Sequence, residues 1–150
     1  MSEPKIIQGK LFHDDRGYVS FTNELNFSEL GIKRYYTVRN HSKKYSRRFH
    51  GHKKEAKYVT VNNGAAKIVI YKVADWDNGT PVNESAKVYN LSWTQPDVLY
   101  IPPGYANGFV PLNEDAIITF YSTSSLEESK GDDFRFNEYI LSNLFKTEIR

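Results

Sequence analysis

The feature that most constrains this chain is a succession of short segments rich in β-branched and aromatic residues, each closed by turn residues. They cover 6–12, 18–22, 33–38, 56–61, 65–73, 86–91, 98–101, 108–112 and 116–121. Strands this short and this closely spaced describe a β-sandwich or barrel rather than a sheet alternating with helices. Asn62-Asn63-Gly64, between two alternating runs, gives the strongest hairpin signal, because Asn and Gly accept the positive φ of tight hairpin turns. Asp77-Asn78-Gly79 and Pro102-Pro103-Gly104 mark further turns. Helix is expected only as one turn at 26–30 and as a short C-terminal helix over 137–146. The polar stretch 122–133 reads as a loop.

With 150 residues, 39% hydrophobic and 15% aromatic, the sequence fits one domain over 1–150. No apolar run approaches a membrane span, and Met1-Ser2-Glu3-Pro4-Lys5 lacks the apolar stretch of a signal peptide, so a cytoplasmic location without membrane contact is expected. The absence of cysteine excludes disulfides, thiolate catalysis and Cys-ligated zinc. A net charge of +2 argues against nucleic acid as the partner. Yet Lys33, Arg34, Arg39, Lys43, Lys44, Arg47, Arg48, Lys53, Lys54 and Lys57 face a single acid, Glu55, within one segment. That bias favours an anionic ligand there.

Embedded in the basic segment is Arg47-Arg48-Phe49-His50-Gly51-His52. On a strand, His50 and His52 share a face with Arg48, while Phe49 takes the other. The spacing His50-x-His52, four residues, position 57, six residues, Gly64 resembles the first motif of the metal-binding cupins, which are small β-barrels. That motif has glutamate where this chain has Lys57. The second cupin motif, P-x-G-x-x-H, reads Pro102-Pro103-Gly104-Tyr105-Ala106-Asn107, with Asn107 in place of the third histidine. An ammonium repels a divalent ion and Asn replaces imidazole poorly, so no metal or other cofactor is expected. What remains is proton chemistry. A neutral imidazole can accept a proton near neutral pH, and Lys57 can supply the positive charge that an enolate oxygen requires.

These residues, with Phe12-His13-Asp14-Asp15-Arg16-Gly17, Lys57-Tyr58-Val59-Thr60-Val61 and Ile101-Pro102-Pro103-Gly104-Tyr105-Ala106-Asn107-Gly108-Phe109, resemble the dTDP-4-dehydrorhamnose 3,5-epimerase family in order and spacing. The resemblance implies an all-β, cupin-type jelly-roll barrel, a homodimer, acting on a nucleoside-diphosphate 4-keto-6-deoxyhexose in deoxysugar biosynthesis for surface polysaccharide. By the same resemblance His50 is the base that removes the proton beside the C4 ketone, with Lys57 near that ketone. Arg16 and Arg47 bind substrate, notably its diphosphate, a match for guanidinium forks. Arg47 lies three residues from His50 and points away from it on an ideal strand, so its role requires a bulge; Arg48 is the alternative. Asn107 is a candidate partner for a sugar hydroxyl.

The sequence departs from the family pattern at the tyrosine that protonates the enolate from the face opposite the histidine. Ser125 and Leu126 stand in that segment, leaving Tyr121 or Tyr105 as substitutes. The resemblance also implies a late aspartate that orients the histidine, for which the candidate carboxylates are Asp132, Asp133 and Glu148. Three readings compete with the epimerase. A metal-free sugar 3,4-ketoisomerase would use His50 and His52 to move a proton between neighbouring carbons. A non-catalytic cupin would only bind a sugar or nucleotide. A metal-dependent cupin would recruit His50, His52 and Glu55.

Overall fold

The computed structural model describes residues 2–146. The chain forms β1 (Lys5–Ile7), β2 (Lys10–Asp14), β3 (Gly17–Phe21), helix α1 (Phe27–Leu30), β4 (Arg34–Val38), β5 (Arg47–Gly51) and β6 (Lys57–Asn63). It continues through β7 (Ala65–Asp75), β8 (Thr80–Pro81), β9 (Lys87–Ser92), β10 (Val98–Ile101), β11 (Tyr105–Pro111) and β12 (Ile117–Ser122). Helix α2 (Leu126–Lys130), β13 (Phe134–Arg135) and a 3-10 turn at Ser142–Phe145 complete it. None of these helices is long and apolar enough to cross a membrane.

Two antiparallel sheets make the jelly-roll barrel. The first has the order β1-β10-β6-β12-β4 and the second β13-β5-β11-β7-β8, with β9 also on β7; β2 and β3 form a separate hairpin. Alternation decides what fills the space between them. Val59 and Val61 of β6, Ile118 and Phe120 of β12, Ile68 and Ile70 of β7, and Phe109 of β11 form one buried cluster. The intervening residues Val69, Tyr71 and Val73 of β7 join Phe49 and Phe145 in a second. The C-terminal residues Phe136, Ile140, Leu141 and Leu144 pack on that second cluster. Strand β7 is therefore covered on both faces, which is why its sequence runs nearly unbroken in apolar residues.

The structure corrects several expectations. Asn62-Asn63-Gly64 is not a hairpin: β6 pairs with β10 and β12, whereas β7 pairs with β11, β8 and β9. Gly64, at φ +68°, carries the chain across a corner from one sheet to the other. The positive φ was legible, but a corner needs it as much as a hairpin does. Pro102-Pro103-Gly104 makes the equivalent crossing from β10 to β11. The segment 6–12 is broken at Gly9, where any Cβ would lie 1.9 Å from the Pro96 carbonyl oxygen. The stretch 122–133 contains α2, started by a capping box between Ser125 and Glu128. The C-terminal helix is confined to one 3-10 turn.

One irregularity shapes the site. Opposite β11, His50 pairs with Asn107 and Arg47 with Phe109, so the two residues Arg48 and Phe49 oppose Gly108 alone. This bulge reverses the alternation and puts Arg47, not Arg48, on the His50 side of the strand. A Cβ on Gly108 would come 2.6 Å from Arg48 Cβ and 3.0 Å from the Arg47 carbonyl oxygen. Gly108→Ala should therefore lower the urea-unfolding free energy by about 1–3 kcal/mol, the usual cost of overpacking; an unchanged midpoint would remove the bulge's claim to need glycine.

Candidate active site

A cavity of about 330 Å³ opens between the sheets. From the first sheet it is lined by Arg34, Tyr36 and Val38 of β4, Lys57 of β6 and Phe120 of β12. From the second come Arg47 and His50 of β5 with Asn107 and Phe109 of β11, and His52, Ser129 and Asp133 close the rim.

His50 is placed by the pairing of β13 with the end of β5, which sets Phe134 against Gly51 and Arg135 against His50. That edge strand brings the preceding residue, Asp133, to 3.4 Å from His50 Nδ1. In the neutral ring an Nδ1–H donated to this carboxylate leaves Nε2 as the free base. Burial pushes the Asp133 carboxyl up, but the His50 hydrogen bond, reinforced by the charges of His50, Arg135 and His52, leaves it below its ordinary value. Asp132 does different work. Its buried carboxylate accepts the backbone N–H groups of Lys53, Lys54 and Glu55 at 2.8, 2.9 and 3.0 Å, holding the turn that leaves β5. The third candidate, Glu148, lies outside the described residues.

His52 is buried, and its Nδ1 donates to the Asp132 carbonyl at 2.6 Å. Its Nε2 has no hydrogen-bond partner among the described residues. Burial first, and the Lys57 charge second, hold this imidazole below its ordinary value, against the opposing pull of Glu55.

Beneath the cavity lies a group that sequence reading used only in a discounted metal site. The Glu55 side chain has no solvent exposure. It accepts a hydrogen bond from the Ser122 hydroxyl at 2.8 Å and lies 3.6 Å from Lys57 Nζ, 3.8 Å from Arg34 and 3.8 Å from His52 Nδ1. Lys57, 9% exposed, turns into the cavity and donates to the Tyr36 hydroxyl at 2.5 Å. Arg34 and Tyr36 are likewise cavity residues that the motifs missed. Strand alternation was the available signal: Tyr36 faces in, while Tyr35 is 67% exposed.

The remaining expected site residues divide. Arg47 lines the cavity, its Nε donating to Asn40 Oδ1 at 2.7 Å, and Asn107 lines it across from His50. Arg48 does not; its guanidinium lies over the Phe145 ring at 4.1 Å, on the opposite face. Tyr121 packs against Phe27 and Tyr35 on the outer face of the first sheet. Arg16 sits at the tip of the β2–β3 hairpin, 85% exposed and paired with Asp14 at 2.6 Å. Among the described residues no cluster of His, Asp or Glu is arranged to hold a metal ion. The cavity sets two guanidiniums, an ammonium and an amide beside the two histidines, and its Asp133 carboxylate is taken up by His50, a set that suits a divalent cation poorly.

The family model for dTDP-4-dehydrorhamnose 3,5-epimerase matches residues 1–142. The chain belongs to that family of isomerases. A curated member from Salmonella typhimurium, dTDP-4-dehydrorhamnose 3,5-epimerase, is 28% identical over 142 residues, covering 89% of this chain and 75% of that one. Among solved structures, the dTDP-4-dehydrorhamnose 3,5-epimerase of Bacillus anthracis, with TDP and PPi bound, superposes with a TM-score of 0.74 at 20% identity, covering 98% of this chain and 87% of the other. A variant of the 3,4-ketoisomerase QdtA from Thermoanaerobacterium thermosaccharolyticum, in complex with TDP-4-keto-6-deoxyglucose, gives 0.69 at 18%, covering 96% and 95%. The epimerase family's barrel is thus the fold of this chain, and the expected cupin-type jelly roll is present.

The buried His52 gives this epimerase-family barrel a pH signature. Its native ring takes a proton only below the ordinary value of 6.5, so between that value and the lower native one the unfolded chain binds more protons. The contribution is fully present above the ordinary value and is lost as pH falls through that window. Denaturant titrations should show stability falling as pH drops below 6.5, with a shallower fall in His52→Gln; an identical slope in both proteins would contradict the assignment.

Proposed function

We propose that this chain epimerises a nucleoside-diphosphate 4-keto-6-deoxyhexose by removing the proton beside the ketone, with its own side chains as the only catalysts. The observation that carries the reading is one cavity with an aspartate-oriented imidazole on one sheet and a buried ammonium on the other. Family membership and the TDP-4-keto-6-deoxyglucose bound by the related ketoisomerase barrel support the substrate class.

In this mechanism the diphosphate docks on Arg47, whose terminal nitrogens have no protein partner among the described residues, and the sugar enters the cavity. His50 Nε2 takes the α-proton, the imidazolium formed is held by Asp133, and the negative charge moves to the ketone oxygen. Lys57 meets that oxygen with an ammonium already oriented by Glu55, so little reorganisation is needed as the charge develops. Asn107 is placed to bind a sugar hydroxyl. His52 remains neutral and positions the loop. That role disfavours the ketoisomerase alternative, which asks His52 to carry a proton.

The same proposal has the enzyme act in the cytoplasm as a homodimer, feeding deoxysugar and surface-polysaccharide synthesis. Support for the dimer comes from the β2–β3 hairpin, whose Phe12 and Val19 are each 62% exposed. Arg16 on that hairpin does not line the cavity of its own chain, and the proposal assigns it to the substrate of a partner copy.

His50→Asn should lower solvent-deuterium incorporation into TDP-4-keto-6-deoxyglucose by roughly 100-fold or more, while TDP affinity, measured by calorimetry, stays near wild type. Incorporation that persists in the variant would overturn the assignment of the base. Wild-type binding without any incorporation would favour a non-catalytic sugar-nucleotide binder.

A further inference from the structure

Inversion at carbon requires a proton donor on the face opposite the base, and the segment that carries this tyrosine in the family pattern does not supply one here. Ser125 is engaged as the N-cap of α2, accepting the Glu128 N–H at 3.1 Å, and Leu126 is a 61% exposed helix residue. Of the sequence candidates, Tyr121 is on the outside of the first sheet, and Tyr105 donates its hydroxyl to Glu3 at 3.2 Å from within the core. Neither lines the cavity.

We infer that Tyr36 is the acid that protonates the second face of the substrate, an assignment that rests on the proposed epimerase reading. Among the described residues it is the one tyrosine lining the cavity. It stands on β4 in the first sheet, whereas His50 stands on β5 in the second, so a sugar ring between the sheets meets the two from opposite sides. Its ring is fixed by stacking on Phe120, 5.2 Å between centroids and 10° from parallel. An ammonium has no lone pair, so Lys57 is the donor in their 2.5 Å contact. The phenolic proton itself has no acceptor among the described residues and is left for a ligand. The carbons flanking a ketone are one bond from the carbon bearing the oxygen that Lys57 would hold, so a hydroxyl bonded to Lys57 lies next to them.

The proton balance closes. His50 Nε2 gains the α-proton and the C–H electrons pass into the enolate. The enolate carbon then takes the Tyr36 proton from the other side, leaving a phenolate against the Lys57 ammonium. Water returns a proton to Tyr36 and accepts one from His50, resetting both groups.

The test compares exchange with inversion, using TDP-4-keto-6-deoxyglucose in deuterated buffer and NMR of the product. In Tyr36→Phe, exchange of the α-proton should continue while inversion falls by roughly 100-fold, with TDP binding and thermal unfolding confirming the fold. Replacing Tyr36 with a fluorotyrosine keeps the hydroxyl contact and should move the alkaline limb of the inversion rate to lower pH without moving that of exchange. Inversion by Tyr36→Phe within twofold of wild type would overturn the inference. So would joint loss of exchange and inversion in a folded variant, which marks a residue that only positions Lys57, or a wild type that exchanges without inverting. A wild type that does not exchange at all would instead defeat the epimerase reading itself.

Discussion

A single buried carboxylate organises the cationic part of this site. Glu55 lies beneath the cavity with Lys57, Arg34 and His52 within 3.6 to 3.8 Å and the Ser122 hydroxyl bonded to it. Taking an ammonium out of water is costly, and a paired charge with additional hydrogen bonds is what offsets the loss. Lys57 is therefore kept where a metal-binding cupin would have a ligand glutamate, with its charge turned toward the space a substrate would fill. Glu55, two positions before Lys57 in the chain, anchors that ammonium at 3.6 Å. Breaking such a buried pair by removing one partner commonly costs about 3–5 kcal/mol, so Glu55 bears on folding as well as on the site.

The rest of the fold holds that arrangement from outside. Asp132 fixes the turn from Lys53 to Glu55 through three backbone N–H groups and holds His52 through its carbonyl. One residue later Asp133 serves His50, because β13 adds to the edge of β5. Helix α2 sits just before these aspartates. Lys33 and the Ser125 cap hold Glu128 down to about 2, tying the helix to the start of β4 and bringing Ser129 to the cavity rim. A polar segment that looks like a solvated loop thus connects both walls of the site.

What the sequence disclosed and what it withheld follow from the range of the interactions. Strand positions were legible because alternation and turn residues are local, and His50, Lys57 and Asn107 fall in one cavity because each sits at an inward position of its strand. The fate of Gly64 was not legible, since a positive φ turns a hairpin or a corner and only partner strands decide which. Arg47 and Arg48 exchanged faces because the bulge depends on Gly108, far along the chain. The tasks of Glu55 and Asp132 were hidden for a similar reason: a carboxylate among lysines or in a polar stretch reads as solvated until the groups that meet it across the fold are known. Tyr36 was within reach, since alternation already required one of the two adjacent tyrosines to face inward. The α2 cap was also visible, in Ser125-x-x-Glu128.

The measurement that bears most directly on this account is the NMR spectrum of TDP-4-keto-6-deoxyglucose incubated in deuterated buffer with wild-type protein before and after exhaustive chelation. An ammonium acting in place of an ion predicts deuterium at a carbon beside the ketone, at a rate that the chelator leaves unchanged. Incorporation abolished by the chelator and restored by a divalent metal would contradict it.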